Sequence, residues 1–319
     1  MRGKQLYNGR YTIKEEVGSG GFAKIYQAAE TNSPADVAIK VATDPNSPTF
    51  RKSLREEARL IQTFTHNNLV RLRPIPRLDK PGTVFSANAI GLPGNPTFFV
   101  MEYLKGGTLN DYLEGVGHLT IQEAAFIGLE IAHGLTYMHQ QGYAHNDLKL
   151  ENVVFRHPLV VGHPFEPVLI DFGIASRIQE PDAGSFYIMP PEQVAKVKMT
   201  APPEVSSQID RKKGDVWSLG VVLYRMLGGK LPFLGRTTRS LTQQIFHSTP
   251  VPLTHLAPNI PQAIDHLIIN RCLAKDPGYR LTLPELTTEL YRITGGHIIP
   301  VETEPQPKKG GLWQRIFGR

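Results

Sequence analysis

The stretch HNDLKLEN, His145 to Asn152, followed by DFG at Asp171 to Gly173, constrains this chain more than any other feature. Asp147, Asn152 and Asp171 are the polar side chains that phosphoryl transfer from a nucleotide requires. One carboxylate receives the proton of an attacking hydroxyl, while an amide and a second carboxylate hold the magnesium ions that bridge the phosphates. Lys149 sits two residues past Asp147, where its ammonium can neutralise charge on the moving group. Between the motifs, VVF (Val153 to Phe155) and VLI (Val168 to Ile170) are apolar and β-branched, which predicts two short buried strands. Either motif alone is a weak signal. Both in this order, with the lysine and asparagine in register, make coincidence a poor explanation.

These residues resemble the protein kinase signature set, so its other members can be sought in turn. GSGGFAKIY, Gly18 to Tyr26, is a glycine-rich run that a dinucleotide fold also uses. A dinucleotide fold needs a helix after the glycines. Here the flanks alternate instead: Tyr11, Ile13 and Val17 before, Ile25, Gln27 and Ala29 after. That period of two predicts strand, turn, strand, a flap of backbone N–H groups over phosphates. The resemblance implies nucleotide contacts from Gly18, Ser19, Gly20, Gly21, Phe22, Ala23 and Ile25, with Ala23 standing where the family has a third glycine.

VAIK, Val37 to Lys40, is the next apolar strand, and by resemblance Lys40 holds the α- and β-phosphates while a helix glutamate holds Lys40. A helix is expected from about Thr49 to Thr63, with Phe50, Leu54, Ala58, Ile61 and Phe64 as its buried stripe. Glu57 shares the face of Leu54 and Ile61, whereas Glu56 points elsewhere, so Glu57 is the expected partner. FFVMEYLKGGTL, from Phe98 or Phe99, resembles the last strand of the small lobe and its hinge. Met101 would border the adenine pocket, Glu102 to Leu104 would offer backbone groups, and Ala38 with Val154 would sandwich the adenine ring.

The remainder suits a helical second lobe. TIQE, Thr120 to Glu123, predicts a capping box opening a helix to about Gln141. DVWSLGVVLYRML, Asp215 to Leu227, is apolar almost all round, as a buried helix is. By resemblance, Asp215 caps the catalytic loop and Arg280 pairs with the glutamate that closes the activation segment. That glutamate is Glu192 in MPPEQ, with Glu204 in APPEV as the competitor.

The resemblance spans about Tyr11 to Ile293 and is closest to bacterial eukaryotic-type serine/threonine kinases. It implies an α+β, bilobal fold: a β-rich small lobe (1–103, the domain starting near Tyr11), then a larger helical lobe (104–293). It further implies ATP and Mg²⁺ as cofactors, catalytic roles for Asp147, Lys149, Lys40 and Glu57, and metal ligation by Asn152 and Asp171. Lys149 favours Ser/Thr over Tyr as the acceptor, in protein substrates and in the chain itself. Two departures keep a nucleotide-binding scaffold without transfer as an alternative: Ala23, and Asn146 in place of the HRD arginine. Lacking that arginine's charge, Asn146 cannot grip a phosphate on Ser176, Ser185, Tyr187 or Thr200, so activity is expected without activation-segment phosphorylation. A small-molecule kinase is the other alternative, but it would lack the DVWSLG helix and the RCLAKDPGYR block.

Residues Arg73 to Thr97 look enlarged and turn-rich (LDKPGT, GLPGNP), read as a long hairpin or a solvated loop without function. After Ile293 a linker (294–310) leads to GLWQRIFGR (311–319), a short basic amphipathic tail if helical and otherwise a frayed end. As a helix it would contact anionic membrane or a partner protein. No apolar signal segment opens the sequence and no run is long enough to span a membrane, so a cytoplasmic enzyme, at most peripheral at the membrane, is expected. A net charge of +6 suits an anionic nucleotide but does not imply nucleic-acid binding, and the single Cys272 excludes a disulfide framework.

Overall fold

The computed structural model describes residues 1–172, 183–197 and 210–303. Gly173, Ser176, Thr200, Glu204 and the 311–319 tail lie outside the described residues, as does the side chain of Ser185. The chain forms two compact units. Among the described residues, the first comprises Met1–Gly107 and Val154–Pro158; the second comprises Thr108–Val153 and the described chain from Leu159 to Thr303.

The first unit is an antiparallel sheet with one long helix. Its strands are β1 (Gln5–Leu6), β2 (Tyr11–Ser19), β3 (Ala23–Glu30), β4 (Asp36–Ala42), β5 (Leu72–Arg73), β6 (Ile75–Pro76), β7 (Thr83–Val84), β8 (Ala87–Asn88) and β9 (Thr97–Glu102). The main sheet runs β1-β2-β3-β4-β9-β5, and β8 also pairs with β9. Alternation along each strand divides its side chains between two faces. Tyr26, Ile39 and Val100 align across β3, β4 and β9 and belong to the hydrophobic core. The opposite face aligns Ile25 with Lys40, and Ala38 with Met101. Of the residues that alternate around the glycines, Tyr11 and Ile13 lie in this core, whereas Ile25 lies on the opposite face and Tyr26 and Ala28 fill the core from β3.

Helix α1 (Pro48–Gln62) starts from the Ser47 cap, whose hydroxyl accepts the Phe50 amide, and it has proline at its first position, where no N–H is needed. It buries Leu54, Ala58 and Ile61 of the predicted stripe together with Glu57, while Phe50 is half-buried and Phe64 is buried just past the helix end.

The Arg73–Thr97 region corrects the expectation of one long hairpin or a solvated loop. Only β6 and β7 form a small hairpin, while β8 joins the main sheet beside β9. Ile75, Ala89 and Leu92 are buried in the same core as Leu6 and Tyr7. The Tyr7 amide donates to the Ile90 carbonyl. Gly91 has a φ of +106°, and a Cβ there would lie 2.7 Å from the Gln5 carbonyl oxygen, so this approach requires glycine. Two-residue strands carry no readable period, which is why the packing was not visible in the sequence.

The second unit is helical. Its helices include α2 (Leu109–Val116), α3 (Ile121–Gln140), α4 (Pro191–Val197), Arg211–Gly228 and Leu283–Thr294. The capping box expected at Thr120 and Glu123 is present. Arg211–Gly228 is buried from Gly214 through Tyr224 and ends at Gly229 in the left-handed conformation (φ +67°). Arg280, with a fully buried side chain, forks onto Glu192 at 2.6 and 2.8 Å, which identifies Glu192 as its partner.

The segment after Leu283–Thr294, expected to be a linker, is docked as far as Thr303. Val301 exchanges backbone bonds with Gly162 and His163 and is 1% exposed. The Glu302 amide donates to the Glu123 carboxylate, and the Tyr112 hydroxyl to the Thr303 carbonyl. Among the described residues no helix is long and apolar enough to cross a membrane.

Candidate active site

The expected site residues fall into two groups, one in each unit. In the first unit, β2 and β3 form a hairpin in which Gly18 pairs with Ile25 and Ser19 with Lys24. The Gly20 amide closes the turn on the Ala23 carbonyl at 2.8 Å. Ala23 begins β3 without a positive φ, so the missing third glycine causes no backbone strain. At the tip, Phe22 packs edge-on against Phe50 of α1 with ring centroids 4.7 Å apart. Sequence reasoning missed this contact, because it joins residues of two separate elements.

Lys40 donates to Glu57 at 2.7 Å, and both side chains are about nine-tenths buried. Glu56 instead faces Lys52 at 3.8 Å on the exposed side. A buried ammonium is tolerated only when paired, and this pair fixes the Lys40 ammonium, with Lys40 opposite Ile25 on the sheet. Met101, at 7% exposure, stands opposite Ala38, at 5%. The Glu102 carboxylate is drawn to the guanidinium of Arg156 and to the Arg71 amide, and its own amide donates to the Arg71 carbonyl. Leu104 and Val154 are buried in the same unit.

In the second unit, the loop bearing Asp147 hangs from one buried carboxylate. Asp215 is 1% exposed and accepts the His145 amide at 2.8 Å and the Asn146 amide at 2.9 Å. His139 completes the arrangement at 2.7 Å from Asp215, a partner that no motif announced. Burial holds the His145 imidazole below its ordinary pKa despite Asp215, Asp147 and Asp171 nearby, so it packs as a neutral ring against Phe172. Asn146 adopts a φ of +63° and donates from its amide to the Ala144 carbonyl. This left-handed turn suits asparagine and explains the residue locally.

Asn152 donates to the Asp147 carbonyl at 2.8 Å and to the Asp147 carboxylate at 3.1 Å. Those bonds fix the amide so that its oxygen, Oδ1, points the other way. That oxygen is buried and has no hydrogen-bond partner. An orphaned buried acceptor is costly, and a bound cation would satisfy it. Asp171 follows the short strand Pro167–Leu169, with a φ of +60°, and the amide of the preceding Ile170 donates to the Asn152 carbonyl. An amide oxygen and a carboxylate are hard oxygen donors of the kind magnesium takes. Lys149 lies 3.2 Å from Asp147. Burial works against its charge, but Asp147, Asp171 and Glu151 outweigh that and hold its pKa above the ordinary lysine value. Tyr187 donates to Glu151 at 2.8 Å, and burial together with Glu151 raises its pKa well above normal.

A family model described as protein kinase domain matches residues 11–291. The chain is 27% identical over 285 residues to the serine/threonine-protein kinase PrkC of Bacillus subtilis, covering 89% of this chain and 40% of that protein. It is 27% identical over 300 residues to PknB of Mycolicibacterium smegmatis, covering 93% and 45%. For PknB of Mycobacterium tuberculosis the identity is 28% over 291 residues, covering 90% and 43%. The chain thus spans less than half the length of these relatives. A crystal structure of Rad53 1-466 in complex with AMP-PNP shares the fold, with a TM-score of 0.68 and 23% identity over 91% of this chain and 67% of that one.

Proposed function

This chain belongs to the protein kinase domain family, and from that premise we propose that it transfers a phosphoryl group from ATP to serine and threonine hydroxyls of proteins, itself included. The observation that carries the reading is the buried, unpartnered Oδ1 of Asn152 beside Asp147. Leaving a buried acceptor unpartnered costs stability. In a phosphotransferase that acceptor is a ligand position.

The roles follow from the chemistry of each group. Lys40, fixed by Glu57, places positive charge for phosphate oxygens. The β2–β3 turn offers backbone N–H groups, and the Ala38, Met101 and Val154 side chains offer apolar surface for an adenine. Asp147 accepts the proton of the attacking hydroxyl, and Lys149 stays charged to meet the moving phosphoryl group. Asn152 and Asp171 would hold Mg²⁺, which supplies charge that neutralises the phosphates. Because Asn146 makes a local turn bond and has no positive charge, activity does not wait for a phosphate on the activation segment.

The test is incubation of the purified full chain with γ-labelled ATP, Mg²⁺ and a mixed basic-protein substrate, followed by phosphoamino-acid analysis. Label on serine and threonine is expected, in substrate and in the chain. Label on tyrosine alone, or none, contradicts the reading. The cytoplasmic setting and the lipid or partner contact of the 311–319 tail belong to the same proposal and rest on sequence. Anionic-vesicle pelleting of the full chain against one ending at Thr303 checks the tail, with loss of pelleting expected on truncation.

A further inference from the structure

Helix α1 is set against itself electrostatically on its exposed side. Arg51, Arg55 and Arg59 recur every fourth residue, and Lys52 adjoins the first of them. Like charges four apart repel along a helix. The first turn holds no acidic residue, and Arg51 with Lys52 follows it directly, near the positive end of the helix dipole. Glu56 relieves only Lys52, at 3.8 Å. Among the described residues the three guanidinium groups make no hydrogen bond or ion pair. Arg55 and Arg59 are exposed and Arg51 is half-buried. With Pro48, Lys52 and Glu56 they line a surface depression of about 370 Å³.

The spacing selects the partner. Four helical residues rise about 6 Å, and alternate side chains on one face of an extended chain lie about 6.6 Å apart. A carboxylate on every second residue of an extended segment would therefore meet Arg51, Arg55 and Arg59 in turn, each as a two-pronged pair. A lipid surface fits less well, because the apolar residues of α1, Leu54, Ala58 and Ile61, are buried and leave no apolar edge beside the charges. We propose that the outer face of α1 is a docking surface for an extended acidic protein segment bearing aspartate or glutamate at alternate positions. The inference does not depend on phosphoryl transfer. It bears on it, because α1 also carries Glu57 to Lys40 and Phe50 to Phe22, so an occupant that relieves the repulsion steadies both contacts.

The test is fluorescence anisotropy at low salt with the full chain and a labelled peptide of alternating glutamate and valine, which offers no hydroxyl to phosphorylate. A control peptide has the same composition with its glutamates contiguous. The alternating peptide is expected to bind more tightly than the control. The triple variant R51Q/R55Q/R59Q should weaken it about tenfold or more, while R236Q/R239Q, at exposed arginines elsewhere, leaves it unchanged. The triple variant should melt no lower than the parent, since it loses repulsion, which separates lost binding from lost folding. Absence of binding by the parent, equal binding of both peptides, or indifference to the triple variant overturns the proposal. So does pelleting with phosphatidylserine vesicles that depends on the same three arginines, which would assign the face to lipid.

Discussion

Lys40 and Glu57 show what one helical position decides. The two adjacent glutamates of α1 differ by about 100° around the helix, and the structure gives Lys40 to Glu57 and Lys52 to Glu56. Glu57→Gln should lower turnover on the order of 10–100-fold by misplacing Lys40, while Glu56→Gln should stay within about twofold. Steady-state assays of the two variants check this, and equal losses would remove the basis for the assignment. Lys275 offers a separate test through pH. Burial, then Arg280, pulls its pKa down to about 8, although its ammonium lies 4.0 Å from the Phe233 ring centre and donates to the Ile245 carbonyl. Between about pH 8 and the ordinary value of 10.5 the unfolded chain holds the extra proton, so this group makes stability rise with pH across that window. Lys275→Met should flatten the rise in denaturant midpoints between pH 8 and 10. An unchanged slope would contradict the shift. Cys272 is simpler: burial pushes its thiol up to about 12, so a thiol reagent should label it only after unfolding.

Among the elements, the Arg73–Thr97 region is where packing overrides appearance. Leu92 is 5% exposed in the core that holds Leu6 and Tyr7, whereas Leu78 is 47% exposed. Leu92→Ala should cost about 2–5 kcal/mol of stability, and Leu78→Ala should stay within about 0.5 kcal/mol, by urea midpoints. Similar small effects at both would restore the solvated-loop reading. The Asp147 loop was legible in the sequence because its chemistry demands fixed residue types at fixed spacing, and α1 was legible through its apolar stripe. The Phe22–Phe50 contact, the placement of Ile75, Ala89 and Leu92, and the docking of Val301 were not. Each joins segments far apart in the chain, and none leaves a period or a spacing to read. Glu192 was already favoured over Glu204 in the sequence, although both sit in similar peptides, and the fork of Arg280 onto Glu192 agrees with that choice. Breaking that fork by Glu192→Ala leaves a buried cation unpaired and should cost about 3–5 kcal/mol.

For the whole molecule, the docked segment to Thr303 means that truncation at Gly295 removes structure as well as the tail. Val301 is buried and Thr303 accepts the Tyr112 hydroxyl. We propose that this kinase-family chain moves a phosphoryl group with Asp147 as the proton acceptor, so nucleotide binding and transfer depend on different residues. In that proposal Asp147 serves the hydroxyl, whereas Asn152 and Asp171 would hold the metal. The decisive measurement is single-turnover transfer from labelled ATP alongside equilibrium Mg²⁺–nucleotide binding, for the parent chain, Asp147→Asn and Asp171→Asn. The parent should transfer. Asp147→Asn should bind nucleotide within about threefold of the parent and lose transfer by at least about 10²-fold, while Asp171→Asn should lose both Mg²⁺-dependent binding and transfer. A parent that binds nucleotide without transferring phosphate, or an Asp147→Asn variant as active as the parent, would contradict the account.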